Sequence, residues 1–167
     1  MQILTVELEN VKSYEKAEVT FSPGVNAIVG QNGAGKSTIL EAIGFTLFDA
    51  LDYSQSEFIR GGAKSARARV AFVSSADERV YEVERRIGSS AHYIVHDPQL
   101  GMRICEGKVD VVRFLRQHLN VETSADLTAI FKDAVGVPQG TLTAAFLLRE
   151  ADRKRVFESL LRVEEYS

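Results

Sequence analysis

The sequence predicts a mixed α/β fold, and three observations carry that prediction. Residues 30–38 read Gly-Gln-Asn-Gly-Ala-Gly-Lys-Ser-Thr, a glycine-rich stretch between a short apolar run and residues at helical spacing. Between positions 70 and 105, β-like runs alternate with turn residues, and from Lys108 the apolar period lengthens from two towards four. The chain of 167 residues is 45% hydrophobic and 26% charged with Pro 3, enough apolar material for a packed core and unlike disordered or repetitive sequences. Lys+Arg 20 against Asp+Glu 23 gives a formal net charge of -3, which excludes a basic footprint over the whole domain but allows local patches. Cys 1 excludes an internal disulfide framework and a Cys-based zinc cage. No apolar run approaches the ~18 residues of a membrane span, and Met1-Gln2-Ile3-Leu4 lacks a signal-peptide layout. A soluble domain in a reducing, intracellular compartment is expected.

Each element follows from its pattern. Leu4, Val6 and Leu8 alternate with Thr5, Glu7 and Glu9, as in a strand with one wet face. Ala17, Val19 and Phe21 repeat the alternation, and Ser22-Pro23-Gly24 supplies a turn. The run from Val25 to Val29, broken only by Asn26, is expected to be a buried strand. After the glycine-rich loop, Ile39, Leu40, Ile43 and Leu47 recur at helical spacing, so the loop is expected to open a helix. Strands are expected over Val70–Val73, Tyr81–Ile87, His92–Val95 and Met102–Cys105, joined by turns short enough for an antiparallel meander. Val111, Phe114, Leu115, His118 and Leu119 mark an amphipathic helix, and Thr123-Ser124-Ala125-Asp126 a second helix start. Pro138-Gln139-Gly140 precedes a last helical stretch with the stripe Val156, Phe157, Leu160, Leu161 and Val163. No C-cap signal follows Val163, so the chain is expected to stop inside a helix.

Gly30–Ser37 fits G-x-x-x-x-G-K-[ST], the phosphate-binding loop, in the confirming setting of strand before and helix after. Glycines at 30, 33 and 35 let successive N–H groups turn towards a phosphate, and the helix start adds its positive dipole end. In this motif Lys36 reaches the β/γ-phosphates and the Ser37 hydroxyl ligates Mg²⁺. The carboxylate that phosphoryl chemistry also needs is not evident. Asp77 and Glu78 follow an apolar strand only after Ser-Ser-Ala and read as hairpin-turn residues. Asp133-Ala134-Val135-Gly136 mimics D-x-x-G without a guanine-specifying N-K-x-D. His92, His96 and His118 are too scattered for a metal site, and Cys105 reads as a packed strand residue.

Asn32-Gly33-Ala34-Gly35-Lys36-Ser37-Thr38 is the wording of the ABC-type ATPase superfamily, and its surroundings resemble one branch, the Rad-fifty/SbcC DNA-repair ATPases, relatives of the SMC proteins. The resemblance runs through Asn10-Val11-Lys12-Ser13-Tyr14, Gly24–Val29, Phe58–Ala63, Val137-Pro138-Gln139-Gly140 (a Q-loop) and Phe157–Leu161. It implies a P-loop NTPase fold: the N-terminal lobe of an ABC-ATPase head (1–147), with an antiparallel β subdomain, followed by the start of a coiled-coil helix (148–167). The signature motif, Walker B, D-loop and switch histidine of that family have no counterpart here.

By the same resemblance, ATP would meet Lys12, Ser13, Asn32, Gly33, Ala34, Gly35, Lys36, Ser37 and Thr38, with Ile59, Arg60 and Gly61 bordering the base. Gln139 would join Ser37 at Mg²⁺ and, with Lys36, form the catalytic pair. The implied partners are a C-terminal lobe, a second head in an ATP-dependent homodimer, an Mre-eleven/SbcD-type nuclease and DNA, with no membrane. In a prokaryote the place would be the cytoplasm, at the nucleoid. Two basic runs stand out, Arg60, Lys64, Arg67 and Arg69, and Arg149, Arg153, Lys154 and Arg155. Both read first as solvated faces, the first also as a DNA-phosphate candidate and the second as a coiled-coil or nuclease-docking face. Competing readings are an SMC-type lobe, an ABC transporter fragment, a small P-loop kinase, and a chain that only binds nucleotide.

Overall fold

The computed structural model describes residues 1–136. Its frame is one six-stranded sheet made of β1 (Gln2–Val11), β2 (Tyr14–Thr20), β3 (Ser65–Val73), β4 (Val80–Gly88), β5 (His92–Asp97) and β6 (Met102–Glu106). The spatial order is β2-β1-β3-β4-β5-β6, and every neighbouring pair is antiparallel. From β3 to β6 this is the expected meander. The hairpin turn between β3 and β4 contains Asp77 and Glu78, the latter at φ 59. Asp77 accepts hydrogen bonds from Tyr81 Oη at 2.7 Å and Arg79 N at 3.2 Å, so it is a turn residue as the sequence suggests.

The two faces of the sheet differ because side chains alternate along each strand. Val6, Leu8, Val70, Phe72 and Val83 point into the core, while Glu7, Glu9, Arg67, Arg69, Glu82 and Glu84 point the other way. Register sets opposite charges side by side: Glu7 faces Arg69, Glu9 faces Arg67, and Arg69 faces Glu84. Two members of the first basic run are therefore held by carboxylates of their own sheet, with Arg67 3.1 Å from Glu9 and Glu84, and Arg69 2.6 Å from Glu84.

Glu84 is the hub of that lattice. Burial pushes its carboxyl up, but hydrogen bonds from His92 and Arg69, the charge of Arg69 and a bond from Arg67 overcome this and bring it to about 2 from an ordinary 4.5. A carboxylate held below its ordinary value stabilises the fold above pH 4.5, and the contribution is lost as pH falls through about 2. That contribution is on the order of 3 kcal/mol. Glu84→Gln is expected to lower urea stability at pH 7, with the gap from the unsubstituted protein more than halved by about pH 3. A gap independent of pH would contradict this account.

The core lies between the inner face and α1 (Lys36–Phe48), which packs across β1, β3 and β4. Ile39, Ile43 and Leu47 are buried. Leu40 is not: it is 48% exposed, because the helix rests on the sheet through its Ala42, Ile43 and Phe45 side and turns Leu40 away. The Val25–Val29 expectation fails. Residues 25–29 form no strand, and Val25 and Val29 are fully exposed. A strand needs a ladder for its N–H and C=O groups. The six strands satisfy one another, and residues 25–29 find no partner among the described residues.

The far end of α1 is fastened by a residue of unexpected type. Arg85 projects from β4 into the core, with its guanidinium 3.9 Å from the Phe45 ring centroid and 4.6 Å from that of Tyr93. It donates to the Phe45 carbonyl at 2.8 Å and pairs with Asp49, the C-cap of α1, at 2.6 Å. A cation at a helix C-terminus meets the negative end of the dipole. Tyr93 Oη donates to the Thr46 carbonyl at 2.6 Å from β5. These bonds set the orientation of a helix roughly 20 Å long whose other end opens the glycine-rich loop.

Among the described residues, three short helical segments and one longer helix remain: α2 (Gln55–Phe58), α3 (Lys108–His118), α4 (Leu127–Ile130) and a π-helical turn (Phe131–Val135). α3 and the start of α4 fall where the sequence places them, and Asp126 caps α4 by accepting from Thr128 N and Ala129 N. His118, buried on α3, stacks on Phe114 at 3.9 Å and shares a 3.0 Å hydrogen bond with Ser74. α2 was not anticipated, although Ser54-Gln55-Ser56-Glu57 carries a capping-box signature: Glu57 Oε1 accepts from Ser54 N at 3.3 Å. Among the described residues no helix is long and apolar enough to cross a membrane. The last helical stretch and Gln139 lie outside the described residues.

Candidate nucleotide-binding site

The glycine-rich loop runs directly into α1. Gly35 is the N-cap, at φ 88, and Thr38 N donates back to the Gly35 carbonyl at 2.9 Å. No side chain caps the helix and no acid stands in its first turn, so its positive dipole end meets no side-chain acceptor of its own. Gly33, at φ 81, makes the preceding turn, with Ala34 N donating to the Gln31 carbonyl at 3.2 Å. Asn32 is exposed on that turn, and Ser37 and Thr38 open the helix.

Lys36 folds back over its own loop. Its Nζ donates to the Gly30 carbonyl at 2.8 Å and to the Gln31 carbonyl at 2.7 Å. The ammonium is therefore held at the mouth of the loop by two neutral acceptors. Exchange of these for a phosphate oxygen replaces weaker bonds with charge-assisted ones.

The β1–β2 turn presses on the loop from the side. A Cβ at Gly35 would stand 2.7 Å from Ser13 Oγ and 2.8 Å and 3.0 Å from the Tyr14 ring, so only glycine admits this contact. Tyr14 was not among the expected site residues, and no periodicity marks it. Lys12 lies in the same turn at φ 46, with its amide donating to the Phe58 carbonyl at 3.0 Å. The segment expected to border the base is bound to that turn. Val11 and Ile59 form an isolated bridge, Arg60 N donates to the Asn10 carbonyl at 2.9 Å, and Arg60 Nη1 donates to the Ser13 carbonyl at 2.8 Å. Phe58, fully buried against Phe45, anchors the segment beneath α1, and Gly61 is exposed at its end. Ser13 thus meets the loop at Gly35, and Lys12, Ile59 and Arg60 are tied to the same β1–β2 turn.

A second contact on α1 concerns the stretch leading towards Gln139. A Cβ at Gly44 would stand 2.4 Å from Phe131 Cε1, so the absence of a side chain at 44 lets the Phe131 ring lie directly on the helix. Phe131 also packs on Phe48 at 5.2 Å, and Lys132 pairs with Asp52 at 2.6 Å. The π-helical turn is thus seated on the same helix that opens the phosphate loop. π-turns of this kind recur at functional sites.

Mixed α/β architecture, a glycine-rich loop opening a buried helix, and a lysine at its mouth are the marks of the P-loop NTPase fold. A family model described as an AAA domain matches residues 5–163, and the chain belongs to that family. It is 31% identical over 169 residues to the DNA double-strand break repair Rad50 ATPase of Thermoplasma volcanium, covering 98% of this chain and 18% of that protein. The corresponding Methanopyrus kandleri protein is also 31% identical, over 96% of this chain and 18% of its own length. The chain thus spans less than a fifth of these relatives. Among solved structures, one from work on ATP-driven dimerization and DNA-stimulated activation of SMC ATPases superposes with a TM-score of 0.70 at 25% identity, covering 96% of this chain and 99% of that one. The recombination mediator protein RecF bound to ATP shares the fold at a TM-score of 0.53 and 23% identity, over 62% of this chain and 28% of that one.

Proposed function

We propose that residues 1–147 are the ATP-binding N-terminal lobe of a Rad50/SbcC-like ATPase head acting in DNA double-strand break repair, and that 148–167 begin its coiled-coil helix. The observation that carries this reading is the loop itself: an uncapped helix start, Lys36 poised at its mouth, and Ser13 packed on Gly35. The site fits a nucleotide phosphate, since the glycine conformations and the free helix end present donors where a Cβ or a capping side chain would otherwise stand.

In this reading Lys36 and the amides of Asn32 to Thr38 hold the β/γ-phosphates, Lys12 and Ser13 approach from the β1–β2 turn, and Ile59 to Gly61 border the base. Ser37 and Gln139 hold Mg²⁺, which when bound supplies screening of phosphate charge. Gln139 suits a sensor because an amide can accept from a metal-bound water and donate to a phosphate oxygen. Asp77 and Glu78 lie in a hairpin turn, which supports a reading in which the C-terminal lobe supplies the metal carboxylate together with the signature motif. Fully exposed Val25 and Val29 and half-exposed Leu40 supply apolar surface and unpaired backbone for that lobe to cover. The proposed partners are a second head in an ATP-dependent homodimer, a nuclease subunit of the Mre-eleven/SbcD type and DNA, with a place at the nucleoid, and the likeness to Rad50 ATPases supports them.

Complementation tests the reading. The purified chain is expected to bind ATP without significant turnover, and a separately expressed C-terminal lobe with the signature and Walker B motifs to restore Mg²⁺-dependent hydrolysis. Val25→Asp with Val29→Asp should leave the melting temperature of the isolated lobe unchanged and reduce restored turnover at least roughly tenfold, since a buried unpaired charge costs several kcal/mol. Robust hydrolysis by the chain alone would overturn the division of the site between lobes.

A further inference from the structure

Glu41 belongs to none of the motifs, yet it organises the least expected cluster beside the loop. It stands on α1 five residues after Lys36. Its Oε2 accepts from Lys12 Nζ at 2.6 Å and from Tyr53 Oη at 2.6 Å. The Lys12 ammonium also lies over the Tyr53 ring, 3.9 Å from its centroid. The side chains of Lys12 and Glu41 are 29% and 32% exposed, so water screens the pair only in part. The root of Lys12 is fixed, because its amide is bound to Phe58 and the next residue packs on Gly35. Only the ammonium is free to choose a partner, and its present partner is an anionic oxygen.

We propose that Glu41, with Tyr53, is a positioning residue that holds the Lys12 ammonium in the nucleotide-free lobe and competes with nucleotide phosphate for it. The inference rests on the reading of Lys12 as a phosphate-facing residue. A phosphate chain carries more negative charge than one carboxylate and displaces it. Tyr53 makes the exchange tolerable for Glu41. Burial and its hydrogen bond to Glu41 push the Tyr53 hydroxyl well above its ordinary value, so it stays protonated and still donates to the carboxylate after Lys12 leaves. The charge of Glu57 also reaches Lys12 and favours the ammonium where it is, while Asp52, paired with Lys132, adds negative potential at Tyr53. The pair thus sets a threshold: a ligand with several phosphates releases Lys12, and a monophosphate does so poorly.

Calorimetric titration of ATP and AMP into the chain and its Lys12→Met, Glu41→Gln and doubly substituted forms tests this. Glu41→Gln is expected to tighten ATP about three- to tenfold, to change AMP less, and to have no effect in the Lys12→Met background. Glu41→Asp, whose shorter arm weakens the contact while retaining the charge, should fall between. Unchanged or weaker ATP binding by Glu41→Gln in a protein of unaltered melting temperature overturns the inference. So does equal tightening with and without Lys12. If Lys12→Met alone leaves ATP affinity unchanged, it is the phosphate-facing reading of Lys12 that fails.

Discussion

Lys36→Ala is expected to weaken ATP binding about 30- to 700-fold while leaving the fold intact. The ammonium bonds to the Gly30 and Gln31 carbonyls at 2.8 Å and 2.7 Å are exposed, and both acceptors can turn to water when the side chain is removed. The cost to folding is therefore below about 1 kcal/mol. The cost to binding is larger, because a hydrogen bond to a charged group contributes roughly 1.5–3 kcal/mol and the lysine adds its charge to the helix end. A loss of roughly 2–4 kcal/mol corresponds to that range of dissociation constants. Calorimetry of the purified chain reads the first effect and a thermal melt the second. Full ATP affinity in the variant would remove the phosphate loop from the account.

Gly35→Val is expected to abolish measurable nucleotide binding and to lower the melting temperature as well. Two costs coincide at this position. A β-branched residue at φ 88 is strained by roughly 1–3 kcal/mol. Its Cβ would also stand 2.7 Å from Ser13 Oγ and 2.8 Å from the Tyr14 ring, which forces the β1–β2 turn off the loop. Gly33→Ala provides the control. Its φ is 81, but a Cβ there meets nothing within 4 Å, so it carries backbone strain alone. A milder loss of affinity is expected for Gly33→Ala, with the melting temperature close to that of the unsubstituted chain. Equal damage from the two changes would show that the contact with Ser13 and Tyr14 contributes nothing.

The legible parts of the chain were those with local causes. Alternation along Leu4–Leu8 and Tyr81–Ile87 specified strands with one apolar face, because side-chain direction in a strand has a period of two. The glycines at 33 and 35 specified the loop because their backbone conformations are closed to other residues. Asp126 specified the start of α4 through its own hydrogen bonds. Apolarity without a partner misled. Val25–Val29 has the composition of a buried strand, but burial and pairing depend on neighbours that the described residues do not supply. Leu40 lies at helical spacing and yet is half exposed, since a helical stripe does not say how far round the helix the sheet reaches. Charge was legible only in part: Arg67 and Arg69 read first as a solvated face, and strand register places Glu7, Glu9 and Glu84 beside them.

By itself, then, the sequence determined the chemistry of this chain: a phosphate loop of required glycines and one lysine, strands that meander, and a helix that starts at the loop. These depend on contacts within a few residues, where composition and spacing are sufficient. Only tertiary structure decided what stands beside the loop. Ser13 and Tyr14 reach Gly35 because β1 and β2 end there; Arg60 is tied to Ser13 because Phe58 is buried under α1; Lys12 is held by Glu41 and Tyr53 because the strand turn and the helix meet. Such contacts join residues tens of positions apart, and they are fixed by how the sheet and helix pack to exclude water, which no short stretch of sequence encodes.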